Sequence, residues 1–233
     1  MREENAAVTP KEFVRQVDVA YRAAADATLA EPMSKYMRSL FPFVGLQKPK
    51  QSAALKPVLV AAKPFVDEQF LIAASKALYQ KQEREFHYAA LLTLIHFEKK
   101  LSVASLGHVR WLVETHSWWD TVDTLATHVV GGLVLRYPKK LQPEMDEWSA
   151  DANFWIRRCA ILHQLSYKTK TDAERLFAYC AANARDEEFF IRKAIGWALR
   201  QYSRTDARAV AQFVHEHPEL SALSRREAMK LGL

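Results

Sequence analysis

The sequence predicts an all-α protein built as a solenoid of stacked helix pairs, and three observations carry that reading. Glycine is scarce, six in 233 residues, whereas a doubly wound sheet or a β-sandwich draws on many turn glycines. From residue 65 onward apolar residues recur at helical spacing almost without a break. Side-chain character also repeats every 35 residues: Tyr88, Asp123, Arg158 and Lys193 form one column. One helical turn earlier the column reads Arg84, Trp119, Phe154, Phe189, and one turn later Leu92, Thr127, Leu162, Trp197. Between them small and apolar residues recur, Ala90, Leu125, Ala160, Ile195 and then Leu94, Val129, Gln164, Leu199. Each window therefore carries one apolar stripe and one face of polar and aromatic groups.

A period of this length in helical sequence is the signature of HEAT-like repeats, in which a helix pair buries its stripe only against its neighbours. The chain is then one HEAT-like repeat domain over residues 1–233, with about six helix pairs and no sheet. Equivalent helices line one concave face, expected to be basic, which would bring Asp123, Arg158 and Trp197 onto one surface.

Taken in order, the first thirty residues read as amphipathic helix, opened by Thr9 and Glu12 at capping-box spacing with Pro10 at the first helical position. The stretch EPMSKYMRSLFPFVGLQKPKQ reads as a turn-rich connection, broken by Pro42, Gly45 and Pro49, with Pro57 opening the next helix. Later interruptions are expected near Ser102 to Gly107 and in a longer loop over residues 136–153, marked by Pro138 and Pro143.

Hydrophobic residues make up 49% of the chain, enough for a packed core, and the net charge is +6 with a pI near 9.3. That balance suits a polyanionic partner. Cys159 and Cys180 lie in apolar helical stretches without CxxC spacing and read as buried free thiols of a reducing cytosol. The eight histidines are scattered without metal-ligand spacing, so no metal is expected. The N-terminus lacks the apolar run of a signal peptide, and no stretch is long enough to span a bilayer. No glycine-rich phosphate loop or GxSxG elbow is present.

Three segments hold residues that a core does not explain. In SWWDTVD, Trp119 and Asp123 are four apart and share a helix face, while Trp118 reads as core and Asp120 as a cap or ion-pair partner. In FWIRRCAIL, only one of Arg157 and Arg158 shares the Asp123 column, either as a ladder partner for Asp123 or as a phosphate ligand. In FFIRKAIGWALR, Lys193 and Trp197 share a face, and Gly196 allows close helix packing.

These three segments, together with EPMSKYMRSLFPFVGLQKP, resemble the AlkD-type alkylpurine DNA glycosylases over roughly residues 31 to 205, with the motifs in the family's order. The resemblance implies a DNA glycosylase that removes alkylated, cationic purines such as 3-methyladenine and 7-methylguanine in base excision repair. It assigns function to Trp119, Asp123, Arg158 and Trp197, and to Tyr36 in the less punctuated early segment. The chemistry agrees. Such a purine is already a good leaving group, and breaking its N-glycosidic bond builds positive charge on the deoxyribose. A carboxylate at Asp123 would stabilise that charge and orient the attacking water, and the faces of Trp119 and Trp197 would contact the cationic lesion and sugar. Most glycosylases flip the base into a pocket, whereas this family is thought to work from a concave cleft that engages the backbone.

The partner is then double-stranded DNA containing alkylated bases, bound by a cytoplasmic monomer without a cofactor. Arg158, with Arg157, Arg192 and Lys193 around it, is expected to contact phosphates. The alternative is a catalytically silent HEAT-like module that binds DNA or protein through the same face. Asp123 separates the two, because a carboxylate facing a polyanion hinders pure binding but helps when the neighbouring sugar becomes cationic.

Overall fold

A computed structural model describes residues 7–230, and among them no strand occurs. They form two compact units, one ending at His108 and one beginning at Val109. The first holds α1 (Pro10–Ala24), α2 (Ala30–Tyr36), α3 (Lys48–Ala62), α4 (Glu68–Tyr79) and α5 (Arg84–His96), and the boundary falls within α6 (Leu106–Glu114). The second holds α7 (Trp119–Thr124), a π-helical segment (Leu125–Val130) and α8 (Gly131–Arg136) as one continuous rod. It continues with α9 (Pro138–Trp148), α10 (Phe154–Leu162), α11 (Ala173–Ala182), α12 (Phe189–Ser203), α13 (Ala207–Glu216) and α14 (Ala222–Ala228).

The recurrence seen in the sequence reappears in where helices begin. Helices α5, α7, α10 and α12 open at Arg84, Trp119, Phe154 and Phe189, each 35 residues after the last. Their partners keep the same interval: α4 opens at Glu68, the turn leading into α6 at Val103, α9 at Pro138 and α11 at Ala173. The expected apolar stripe is buried, with Ala90, Leu94, Leu125, Val129, Ala160, Ile195 and Leu199 almost wholly covered.

Caps punctuate the rods. Thr9 Oγ1 accepts the Glu12 N–H at 3.2 Å, as the spacing predicts, but the Glu12 carboxylate turns away from the cap to pair with Arg15. Asp67, Asn153, Asp172 and Asp206 cap α4, α10, α11 and α13 through their side-chain oxygens. Each satisfies an amide that has no partner inside its own helix. In the first unit the Glu85 carboxylate accepts the backbone N–H groups of Val44, Gly45 and Leu46, pinning the segment after α2 to the start of α5.

Proline misleads at three places. Residues 138–148, expected within a longer loop, form α9, where Pro138 sits in the first turn and its missing N–H costs nothing. Pro143 does lie inside that helix, yet burial of Leu141, Met145 and Trp148 at helical spacing outweighs the lost bond. Pro57 does not open a helix, because it lies inside α3, which starts at Lys48 with Pro49 in its first turn. The early connection also contains α2, although residues 37–47 are non-helical as expected and hold Arg38 and Ser39 at positive φ. The break near Ser102 is present as two short 3₁₀ turns.

Helix α12 lies against α14 at Gly196, where an added Cβ would sit 2.5 Å from Glu227 Cβ and 2.9 Å from the Ser224 carbonyl. Gly107 of α6, by contrast, has nothing within 4 Å of that position. Gly196→Ala should therefore lose about 1–3 kcal/mol through overpacking despite its better helix propensity. Gly107→Ala should instead gain up to about 1 kcal/mol. Thermal unfolding of the two variants checks this, with opposite shifts of melting temperature expected.

Candidate active site

Asp123 is held on the last turn of α7, and its position follows from the helix around it. Trp118 occupies the cap position of α7 and packs its ring against Trp155 and Phe190, at 6.0 and 5.0 Å between centroids. Immediately after Asp123 and Thr124 the helix widens into the π-helical turn, a form uncommon in proteins and frequent at functional sites. The widened turn ends at Gly131, where a Cβ would meet the His163 carbonyl at 2.4 Å, and the Tyr167 hydroxyl donates to the Gly131 carbonyl at 2.6 Å. The rod carrying Asp123 is thus fixed at both ends against α10 and the segment that follows it.

Arg158 of α10 faces Asp123 directly. Its Nε donates to Oδ1 at 2.7 Å and its Nη2 to Oδ2 at 2.9 Å, while its Nη1 donates to the Phe190 carbonyl at the start of α12. One guanidinium therefore ties three consecutive repeats together, with side-chain exposures of 5% for Arg158 and 14% for Asp123. The geometry is the bidentate fork that matches guanidinium to carboxylate. Of the two roles the sequence leaves open for Arg158, the ladder partner is the one this geometry occupies. Burial raises the Asp123 pKa from its usual value, against the opposing pull of the Arg158 hydrogen bonds. Each carboxylate oxygen has accepted one Arg158 proton and keeps a lone pair for a further contact.

The open side of Asp123 belongs to a cleft of about 420 Å³, lined also by Thr127, His128, Lys168, Trp197 and Gln201. Asp123 and Trp197, expected together from the repeat, do meet there. Trp119 begins α7 one turn before Asp123 and is half-buried, but it is not part of this lining. Tyr36 belongs to the first unit, where it is 72% exposed at the end of α2 beside a shallow cleft with Met33, Phe43 and Tyr88.

The basic residues expected to meet phosphates each have an internal partner. Arg157 donates to Asp186 at 2.6 Å and to the Asp151 carbonyl at 2.6 Å, closing the turns before α10 and α12. Arg192 Nε donates to the Asp186 carbonyl at 2.7 Å. Lys193 pairs at 3.2 Å with Glu227, which Arg200 also binds, and the two cations hold that carboxyl well below its usual range.

Sequence reasoning passed over His128, Lys168 and Gln201, and named Thr127 only as a member of a repeat column. Thr127 stands in the column after Asp123 and was legible as such. His128 looks like any scattered histidine, and Lys168 sits on a turn at φ +55°, for which the sequence has no marker. Cys159 and Cys180 are buried free thiols, and burial pushes both thiols up, out of the reactive range. His163 is fully enclosed and pushed down to about 4 by burial, so it is neutral at pH 7. Among the described residues no group of three His, Cys, Asp or Glu is placed to hold a metal ion, and no helix is long and apolar enough to cross a membrane.

A family model described as DNA alkylation repair enzyme matches residues 17–231. Among solved structures, one titled "Predicted DNA alkylation repair enzyme from Enterococcus faecalis" is similar, with a TM-score of 0.83 and 33% identity, covering 88% of this chain and 95% of that one. No curated protein matches the chain.

The buried pair makes a pH-dependent stability test possible. Arg158→Ala leaves Asp123 buried without its counter-charge, a loss of about 3–5 kcal/mol at neutral pH. With Arg158 gone, burial alone acts on Asp123, so its folded pKa rises further above the unfolded value. A raised carboxyl costs stability above its folded pKa and not below the unfolded one. Denaturant unfolding should therefore show the gap between variant and wild type narrowing as pH falls through Asp123's raised pKa. A gap independent of pH would mean that the pair does not carry the loss.

Proposed function

The chain belongs to the DNA alkylation repair enzyme family, and from that premise we propose that it is a DNA glycosylase hydrolysing the N-glycosidic bond of alkylated, cationic purines. The observation that carries this reading is a single carboxylate in the cleft lining, Asp123, locked by a bidentate Arg158 and facing the same space as Trp197. A 3-methyladenine or 7-methylguanine base leaves with its own positive charge neutralised, so a strong general acid is not needed. The barrier lies in the positive charge that grows on the sugar, and a fixed carboxylate lowers it without reorganising.

Arg158 serves this chemistry indirectly. Its hydrogen bonds oppose the upward pull of burial on the Asp123 pKa and set the direction of the remaining lone pairs. One of these lone pairs suits the sugar and the other an attacking water. Trp197 offers an aromatic face to the cationic lesion or sugar, and Trp119 supports the start of the Asp123 helix one turn away. In this reading the substrate is alkylated double-stranded DNA, taken by a cytoplasmic monomer without a cofactor.

Asp123→Asn keeps the shape of the side chain and removes the charge. Single-turnover release of 7-methylguanine should fall on the order of 10²-fold or more, while undamaged duplex binds as well as to wild type or more tightly. Wild-type excision speed in this variant would remove Asp123 from the mechanism. No release by the wild type, with binding intact, would favour a silent DNA-binding module.

The pH profile offers a second test. Excision needs Asp123 ionised, so the rate should drop on the acid side with a midpoint above that of an ordinary aspartate, because burial raises this carboxyl. A rate that stays flat down through the usual aspartate range would contradict the assignment.

A further inference from the structure

The cations that the sequence assigns to phosphate binding are engaged within the fold, and that raises the question of which groups near Asp123 are not. Lys168 is the cation in the lining of the Asp123 cleft. Among the described residues it has no ion-pair or side-chain hydrogen-bond partner, and neither has Arg204. Both side chains are exposed.

These two residues wall a second pocket of about 440 Å³ that runs on from the Asp123 cleft through the shared residues Leu165, Lys168 and Gln201. Its polar lining includes the hydroxyls of Thr169, Thr171 and Thr205, and it contains no carboxylate. Lys168 also holds the left-handed conformation, at φ +55°, which a lysine adopts at a cost and which tends to persist where function demands it. The result is an ammonium and a guanidinium without partners among the described residues, over a rim that includes threonines and Gln201, one cleft away from the carboxylate proposed to act on the sugar.

We propose that this second pocket is the subsite for a backbone phosphodiester of the bound strand, next to the lesion, with Lys168 and Arg204 as its charged ligands. The inference rests on the glycosylase reading only for the identity of the strand as DNA. It assigns the electrostatic grip to the turn after α10 and the end of α12, in place of Arg157, Arg158, Arg192 and Lys193. An anion there would hold the sugar–phosphate backbone beside the Asp123 cleft, which shares Leu165, Lys168 and Gln201 with this pocket. Lys168 is set at the junction of the two spaces, where one side chain can bind the phosphate and border the site of chemistry.

The test measures affinity for undamaged duplex across a range of salt. Lys168→Asn removes the charge while tolerating positive φ, Lys168→Arg keeps the charge, and Arg204→Gln removes the second cation. Both positions are on the surface, and unchanged melting temperatures confirm folding. The two neutral variants should each lower the slope of log affinity against log salt by about one, and Lys168→Arg should restore it. A scan with duplexes carrying one uncharged methylphosphonate linkage then locates the contact. At the contacted linkage the loss should be largest for wild type and smaller for either neutral variant, which keeps only one of the two cations. Unchanged salt slopes, or additive losses at every linkage, would overturn the subsite. Release of 7-methylguanine is followed beside these assays. Charge coupling without any release sinks the glycosylase reading and leaves the subsite, whereas release without coupling sinks the subsite alone.

Discussion

The second unit is organised around one buried ion pair. Arg158 reaches back to Asp123 on the preceding repeat and forward to the Phe190 carbonyl on the following one. Helices α7, α10 and α12 therefore share a register set by a single guanidinium. Such pairs contribute little net stability compared with an apolar replacement, since both ions are stripped of water, but they are severe on any arrangement that leaves one ion alone. Specific geometry is what they enforce. Here the geometry enforced is the direction of a carboxylate into an open cleft, so the constraint that aligns the repeats also prepares the group proposed to act on the sugar.

The same logic runs along the column. Position for position, Asp123 and Arg158 are followed by Lys193, which finds Glu227 on α14. Side chains that look like a basic stripe when read in one dimension are, in the fold, the struts between neighbouring repeats. Arg157 and Arg192 extend the pattern by meeting at Asp186 and closing the turn before α12. A net charge of +6 says that cations exceed anions, but not which of them are left facing water.

How much was legible follows from this. The 35-residue interval was readable because helices open at Arg84, Trp119, Phe154 and Phe189 in strict register, so equivalent residues land on equivalent faces. Asp123 and Trp197 could be placed on one surface from spacing alone. Helix α9 was not legible, because Pro138 and Pro143 carry strong local signals for a turn and the burial of Leu141, Met145 and Trp148 that overrides them is a tertiary effect. The partners of the arginines were hidden for the same reason: Asp186 is nearly thirty residues from Arg157 in sequence. Lys168 was invisible because it lies in a turn after α10, outside the repeat columns, at a backbone angle that lysine rarely takes.

The π-helical turn has a consequence for how such a protein can vary. In an uninterrupted α-helix every residue is in phase with every other, and turning one face means turning all of them. The widened segment from Leu125 to Val130 breaks that phase between the half that carries Asp123 and the half that carries Leu133 and Val134 into the core. Selection can then alter the apolar contacts of the second half without rotating the carboxylate of the first. The rod behaves as two separately adjustable pieces joined by a slipped thread, with the cleft carboxylate on one and cohesion on the other.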